Sequence, residues 1–361
     1  MVFHVTLIGV VSFGYMGHHN AIFGNITAHQ AICAFARDRL LLAKEVAEAR
    51  GFRLLHAIID AIFVQKRNAR AEEYVALTEA IGAATGLKID IEGIYNWVAF
   101  LPSRQDPQMP VANRYFGVFR NGEVKLRGIE ARREDTCAFI RTAQTEMIQL
   151  LAGAANRKEF QARVPQVIDL ACSYLDRLRS GQVPLEELAI TQTISRDPRA
   201  YIQHTLNAIV AQQLLASGVE LSAGHRIRYV IVENQAKTYT DRARALEHLD
   251  GSLGYDAERY GELLLRAIEA MLAPAGIRAD MLQQLIKQEL PTPEKRSRLV
   301  AETTRPYWGP LFAWVEREER KKNAGIISKK QNTERPIPVG VAQSQRMATR
   351  NHPIEFCGAG E

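Results

Sequence analysis

The sequence predicts an α+β fold in which helices and strands alternate first and helices dominate later. Apolar residues recur at helical spacing from His29 to Arg50, two nearly continuous apolar segments follow, and amphipathic segments fill much of the second half. The chain has 361 residues, of which 47% are hydrophobic and 24% charged. This is the composition of an ordinary globular protein, and it excludes a wholly disordered or collagen-like chain.

Helices and strands alternate in the first part of the chain. Each predicted helix ends near a glycine, Gly51 or Gly86, and Asn121-Gly122 is a hairpin signal between the last two strands. In order, the predicted elements are helix His29–Arg50, two strands within Phe52–Val64, helix Glu72–Ala84, strand Ile89–Leu101, and a hairpin of Arg114–Phe119 and Glu123–Arg127.

Helices dominate after Glu134. One strand, His225–Glu233, is predicted among them because its residues alternate between apolar and polar. The predicted amphipathic helices are Asp135–Ala154, Lys158–Arg179, Arg199–Ala216 and Asp256–Leu272.

Positive charge is concentrated at the C-terminal end. The whole chain carries 46 − 40 = +6, and residues 316–361 contain nine Lys and Arg against six Asp and Glu, so 9 − 6 = +3 lies there. Gly, Pro, Ser, Asn and Gln are frequent from Ala324 on, which predicts a basic, flexible tail over residues 291–361. A solvated tail and a nucleic-acid-binding arm both fit this composition.

Cysteine spacing and targeting signals point to a reducing compartment. No two of the four cysteines form a CxxC pair, which excludes a zinc knuckle and a disulfide scaffold and predicts a cytoplasmic location. No Lys or Arg precedes the apolar N-terminal segment, which argues against a secretory signal. No apolar segment approaches the about 18 residues of a membrane helix, so we expect no membrane partner.

Asp60 is the only acidic residue in the apolar stretch Phe52–Val64. A buried carboxylate is costly unless it is paired or binds a metal. If two strands meet at Asp60, the carboxylate lies at a hairpin tip that faces a cleft. Asp is also a common turn residue, so a purely structural role is the alternative.

Three arginines, Arg127, Arg132 and Arg133, lie within seven positions of each other around Gly128. The guanidinium group binds two phosphate oxygens at once, which favours phosphate recognition. An ion-pair network with Glu130, Glu134 and Asp135 is the alternative. Just upstream, Asn113-Arg114-Tyr115 combines polar, cationic and aromatic groups of the kind that suit a sugar-phosphate groove.

The N-terminal segment SFGYMGHHNAIFG is rich in glycine and aromatic residues. Glycine lets a backbone approach a base or a phosphate closely. The segment lacks the Gly-Lys-Ser/Thr ending of a P-loop and the Rossmann fingerprint. We interpret His18, His19 and His29 as non-ligands because no second ligand pair is spaced to complete a metal site.

The order of these segments resembles family B DNA polymerases, in particular archaeal-type enzymes and their bacterial relatives. The resemblance begins in SFGYMGHHNAIFGNITAHQAICAFAR, continues through LLHAIIDAIFVQK and ANRYFGVFRNGEVKLRGIEARREDT, and extends to YDAERYGELLLRAIEAML, so it covers roughly Val10 to Ile277. It implies template-directed addition of deoxynucleoside triphosphates to a primer 3′ end, with Mg²⁺ clamped by carboxylates of two palm motifs.

The resemblance also implies roles for individual residues. Asp60 matches the second, metal-binding aspartate of the family's Asp-Thr-Asp hairpin, and this implies that it is a catalytic residue and a magnesium ligand. Gly14 and Tyr15 match the end of the fingers motif and are implied to bind the nucleotide. Primer–template contacts are implied for the end of a Lys-Lys-Arg-Tyr motif and for the arginine-rich stretch after it: Asn113, Arg114, Tyr115, Arg127, Arg132 and Arg133.

The chain departs from the family pattern at several of these motifs. Ile58 and Ile59 stand where the hairpin has its first Asp and its Thr, and Thr6 stands where the triphosphate-binding Lys is expected. The remaining departures are Val10 and Phe13 in the fingers motif and the loss of both lysines of the Lys-Lys-Arg-Tyr motif, with Ala112 at the first.

These departures shape the functional expectations. We expect residues 1–110 to form the C-terminal part of a polymerase palm with the end of the fingers motif, 111–290 a thumb, and 291–361 the tail. The exonuclease, the other palm carboxylate motif and most of the fingers would lie upstream of Met1. We therefore expect the isolated chain to be inactive and to need an upstream polypeptide. The alternatives are a non-catalytic DNA-binding or structural descendant, a truncated remnant, and a basic α+β protein outside the family.

Overall fold

The structure is a computed structural model that describes residues 12–18, 20–58, 61–103, 109–249, 254–287 and 312–314. Several residues singled out above lie outside these ranges: Thr6, Val10, His19, Ile59 and Asp60. The predicted tail, residues 291–361, also lies outside them apart from 312–314. The described part is α+β, as the sequence predicts.

A helix–hairpin–helix unit begins the fold. Helix α1 starts after Asn25, whose side chain accepts a hydrogen bond from the backbone N–H of Ala28 at 2.9 Å, and α2 ends at Gly86, whose φ of +72° favours glycine. Between them β1 and β2 pair in antiparallel fashion, with Ile58 opposite Ala61. The bounds are α1 Ile26–Ala49, β1 Arg53–Ile58, β2 Ala61–Gln65 and α2 Ala71–Thr85.

A four-stranded antiparallel sheet of order β5-β4-β3-β9 follows. Its strands are β3 Tyr95–Pro102, β4 Pro110–Phe119, β5 Val124–Arg127 and β9 Phe312–Trp314. The prediction that β3 begins at Ile89 is wrong. Tyr95 pairs with Phe119, the last residue of β4, and among the described residues no strand pairs with the residues before Tyr95.

The predicted hairpin between β4 and β5 is confirmed. Gly122 N donates to Phe119 O at 3.0 Å, Phe119 N donates to Glu123 O at 2.9 Å, and only Gly122 in this loop has a positive φ, of +89°. The loop therefore has three residues, and Gly122 alone adopts the left-handed conformation. In the two-residue Asn-Gly turn, both Asn and Gly would adopt it.

Helices surround a small third sheet in the second half. The elements are α3 Ala138–Ala152, α4 Arg157–Arg179, α5 Leu185–Leu188, β6 Ile190–Thr193, α6 Leu206–Ala216, β7 Arg226–Ile231, β8 Ala243–Ala245, α7 Ala257–Leu272 and α8 Ala279–Lys287. Strands β6, β7 and β8 form an antiparallel sheet in that order. Among the described residues, no helix has both the length and the apolar character needed to cross a membrane.

Two of the predicted helices begin later than expected. Asp135 forms an ion pair with Arg133, and α3 starts only after Cys137. Asp197 caps a short 3₁₀ turn at Pro198–Ala200 by accepting from Arg199 N at 2.9 Å, and α6 starts after Thr205. In both places an aspartate stabilises a local turn instead of the first turn of the helix.

The main core joins the four-stranded sheet to the helices of the second half. Trp97, Phe116, Phe139 and Phe160 are fully buried in it, and α7 contributes Tyr260, whose hydroxyl donates to Leu188 O and accepts from Ile231 N. Two smaller clusters lie under α1 and α2 and beneath the first hairpin. The arginine-bearing turn after β5 therefore lies on a tightly packed support.

Candidate nucleic-acid interface

The start of β4 and the end of β5 bring the sequence-predicted DNA contacts together. Tyr115 pairs with Arg127 across the two strands, and Asn113 and Arg127 are both exposed. Arg114 Nε donates to Gly128 O at 3.0 Å, and its Nη2 binds Glu130 Oε1 at 3.1 Å. These two bonds hold the Arg114 side chain against the turn that follows β5.

Gly128 permits this close approach. Its φ is +61°, and a Cβ placed there would lie 2.1 Å from Asn113 O and 3.1 Å from Arg114 Cγ. Both the left-handed backbone and the lack of space require glycine at this position. The turn that carries the arginines is therefore pressed directly against the start of β4.

The arginines on this turn differ in their partners. Arg127 and Arg132 are exposed, and within the described part of the chain neither guanidinium group has a hydrogen bond or an ion pair. Arg133 binds Asp135 through two hydrogen bonds of 2.8 and 2.5 Å. The hydrogen bond from Arg133 holds the pKa of the Asp135 carboxyl below its usual range, and it raises the pKa of Arg133.

The ion-pair alternative therefore holds for only part of the cluster. Asp135 forms an ion pair with Arg133, as that alternative predicts. The other two acids bind arginines outside the predicted cluster: Glu130 binds Arg114, and Glu134 binds Arg226 of β7 at 2.7 Å. This leaves the charges of Arg127 and Arg132 facing solvent. Two exposed guanidinium groups that have no partner among the described residues suit a polyanion such as a nucleic-acid backbone.

Tyr115 lies in the interior. It is 4% exposed, and its ring packs edge-on against Phe63 with 5.2 Å between the ring centres. Burial raises the pKa of the Tyr115 hydroxyl. The ring supports the sheet beneath Arg114, and its implied contact with DNA stays a prediction.

The first hairpin has strands on both sides of Ile59 and Asp60, as predicted, and leaves these two residues as its connection. Both lie outside the described residues, so the implied metal-ligand role of Asp60 stays a prediction. Ile58 is 7% exposed and packs with Val98, Phe100 and Tyr115. An apolar side chain thus fills the position at which the family has its first aspartate.

The described residues do not form a magnesium site. No group of three or more His, Cys, Asp or Glu side chains lies close enough together among them to hold a metal ion. The implied ligand, Asp60, is not among these residues, so the magnesium site that the resemblance implies stays a prediction.

Residues 12–16 form a helical turn that packs on the start of α1. The ring of Phe13 stacks on His29 with 4.2 Å between ring centres, and His29 Nδ1 lies 3.1 Å from Phe13 O. Tyr15 is 42% exposed, and Gly14 has open space around it. Both are accessible, and their implied contact with a nucleotide stays a prediction.

An apolar groove of about 890 Å³ opens between α1, the first hairpin and α2, and we call it the α1–α2 groove. Only Ala43 and Ala47 of the 24 residues of α1 are buried. Phe35, which lines the groove, is 66% exposed. Neither β1 nor β2 has a second strand partner among the described residues.

Comparison with known proteins places these features in a family. The sequence profile of DNA polymerase family B matches residues 12–275, well over half of the chain. The chain belongs to DNA polymerase family B. The predicted resemblance is thereby confirmed.

Archaeal DNA polymerases are among the relatives. The chain is 25% identical over 238 residues to a DNA polymerase of Archaeoglobus fulgidus, covering 66% of this chain and 28% of that protein. It is 36% identical over 120 residues to DNA polymerase 2 of Saccharolobus solfataricus, covering 33% of this chain and 18% of that protein. The chain thus spans less than a third of the length of these relatives.

A solved structure of the family B DNA polymerase from Pyrobaculum calidifontis matches 73% of this chain and 31% of that one, with 24% identity and a TM-score of 0.48.

Sequence reasoning missed one part of the site. That part is Gln144 of α3. Its Nε2 donates to Glu130 Oε2 at 3.0 Å, and Glu130 in turn binds Arg114. The available signal was a glutamine between apolar residues at helical spacing, since Ile140 and Ile148 lie four residues to either side of it.

Proposed function

We propose that this chain is the palm and thumb portion of a family B DNA polymerase and that it binds primer–template DNA through the turn after β5. The observation that carries the proposal is that Arg127, at the end of β5, and Arg132, in the turn after it, are exposed and have no hydrogen bond or ion pair with any other described residue. Asn113, Arg114, Tyr115 and Arg133 complete the proposed contact region. In this proposal the palm spans residues 1–110, the thumb 111–290 and the tail 291–361. Strand β3 lies before residue 110 and pairs with β4, most of which lies after it, so the proposed palm and thumb would share one sheet.

We further propose that an upstream polypeptide completes the enzyme and that the isolated chain does not extend primers. The α1–α2 groove and the unpaired edges of the first hairpin support this proposal, because a two-stranded sheet with an exposed apolar surface gains stability from an added partner. In such a complex, Gly14 and Tyr15 would contact the deoxynucleoside triphosphate. Asp60 would hold Mg²⁺, which would neutralise charge in nucleotidyl transfer.

A second candidate is a non-catalytic DNA-binding descendant, and Ile58 favours it. Its side chain is buried against Val98 and Phe100, so the position is occupied by packing instead of a carboxylate. This candidate shares the DNA interface of the first and lacks its chemistry. Cytoplasmic location is part of both proposals, and the cysteine spacing supports it.

Duplex binding tests the part that both candidates share. Fluorescence anisotropy with a labelled primer–template between about 50 and 200 mM salt should show affinity that falls steeply as salt rises, since counterions are released from the phosphates. Binding that is absent, or that is insensitive to salt, would contradict the proposed interface.

Primer extension separates the two candidates. The assay uses the chain alone and mixed with the product of an adjacent upstream gene, chosen because it encodes an exonuclease and a palm carboxylate motif. The split-enzyme proposal expects extension only in the mixture, and Asp60→Ala should abolish it. The descendant proposal expects no extension in either sample. Extension by the chain alone would contradict both.

A further inference from the structure

Gln144 is buried in the middle of α3 with its polar atoms fully engaged. Its side chain is 0% exposed, and Thr85 is the other buried polar or charged residue of the described part. Gln144 Oε1 accepts from Ala131 N at 2.6 Å, and Nε2 donates to Glu130 Oε2 at 3.0 Å and to Ala267 O at 2.8 Å. The partners are one donor and two acceptors, so they determine the orientation of the amide.

This amide connects three separate parts of the fold. Glu130 and Ala131 belong to the turn after β5, Gln144 belongs to α3, and Ala267 belongs to α7. A buried polar group of this kind is costly when one partner is removed, because the others lose their hydrogen bonds without gaining water. The turn is therefore held at a fixed distance from two helices of the second half.

The connection reaches the candidate DNA contacts in two ways. Glu130 binds Gln144 through one carboxylate oxygen and Arg114 through the other, so the amide sets the position of the group that orients Arg114. Ala131, whose N–H is held by Gln144, directly precedes Arg132 in the chain. This bond holds the backbone immediately before Arg132.

We propose that Gln144 is a positioning residue for nucleic-acid binding, acting through Arg132 and through the Glu130–Arg114 pair. It would keep the exposed guanidinium groups in one arrangement before DNA arrives, which lowers the entropy lost on binding. This inference rests on the proposed function, since it requires that the turn after β5 contacts DNA.

The test compares Gln144→Met with a matched control, Gln213→Met, in the full-length chain. The side chain of Gln213 in α6 likewise makes three hydrogen bonds, all to backbone: it donates to Thr240 O at 3.1 Å and Ala243 O at 2.9 Å and accepts from Ala245 N at 3.2 Å. It has no bond to the arginine-bearing turn. Primer–template affinity should fall about three- to tenfold in Gln144→Met and stay unchanged in Gln213→Met.

A double-mutant cycle with Arg132→Ala identifies the route of the effect. If Gln144 acts through Arg132, the loss caused by Gln144→Met should be smaller in the Arg132→Ala background than in the wild-type chain. The same cycle with Arg114→Ala tests the second route, and an equal loss in the wild-type, Arg132→Ala and Arg114→Ala backgrounds would overturn the proposal, because a general structural effect depends on neither arginine. Unchanged affinity in Gln144→Met would overturn it as well.

An exchange of the two side chains provides a second test if Gln144→Met fails to fold. Gln144→Glu alone places two carboxylates together and should weaken binding, and adding Glu130→Gln should recover part of the affinity because the amide and the carboxylate again face each other. Absence of recovery would overturn the proposal. If the wild-type chain binds no primer–template, the proposed function itself is wrong. If the wild-type chain binds and the Gln144 variants behave like the controls, only the inference about Gln144 is wrong.

Discussion

Replacing Gly128 by alanine tests how tightly the arginine-bearing turn is pressed against β4. A left-handed backbone costs an alanine about 1–2 kcal/mol, and φ at this position is +61°. The new Cβ would lie 2.1 Å from Asn113 O, so the turn or β4 must move. Forcing an extra carbon into a packed site costs about 1–3 kcal/mol, which brings the expected loss to about 2–5 kcal/mol.

Gly181→Ala is the matched control for this prediction. Its φ is +71°, and a Cβ there would meet nothing within 4 Å, so only the backbone cost of about 1–2 kcal/mol is expected. The free energy of unfolding is measured by urea denaturation of the full-length chain. Trp97 is a suitable fluorescent probe because it is buried in β3, which pairs with β4. Equal losses in the two variants would refute the argument that steric contact with Asn113 O decides the position.

Three further predictions follow from the same region. Arg127→Ala and Arg132→Ala should each reduce the salt slope of primer–template binding by about 1, whereas Arg133→Ala should change it less because its charge is already paired; an equal effect of all three would contradict this distinction. Because Arg133 lowers the pKa of Asp135, Asp135→Asn should destabilise the fold above the ordinary carboxyl pKa of 3.8, and urea denaturation should show the difference shrinking as the pH falls through the lowered pKa; a difference independent of pH would count against the pair. Ile58→Asp should cost more unfolding free energy than Ile58→Ala, for which about 2–5 kcal/mol is expected, since it adds a buried charge to a cavity; equal costs would mean that the site is open to water.

Local patterns predicted the main elements of the first half well. The first hairpin followed from one apolar, branched stretch that Asp60 interrupts, and the hairpin after β4 followed from Asn121-Gly122. In both cases the signal lies within a few residues. The family assignment rests on the order of many such segments over a long stretch, so it survived the substitutions at individual motifs.

Short strands and helix starts were harder to predict. Strands β6 and β8 have four and three residues, too few for a periodic signal, and they form because β7 lies between them. The predicted helix starts at Asp135 and Arg199 were too early, because periodicity does not register a turn that an aspartate stabilises locally.

The partners of the charged residues also required the folded structure. The sequence shows Arg114, Arg127, Arg132 and Arg133 among nearby acids, and nothing in the spacing separates paired from unpaired ones. Glu130 could reach several arginines by sequence distance, yet it binds Arg114, which lies sixteen positions away on a neighbouring strand. Strand register therefore decides which guanidinium groups have no partner among the described residues.

The sequence by itself determined the α+β class, the main helices and hairpins, and membership of DNA polymerase family B, because these depend on local patterns and on their order along the chain. Tertiary structure alone decided that the Tyr115 and Ile58 side chains are buried, that Arg127 and Arg132 are exposed, and that Gln144 joins the turn after β5 to α3 and α7. These outcomes depend on contacts between residues far apart in the chain. Burial and pairing are properties of such contacts, and a linear pattern carries no direct record of them.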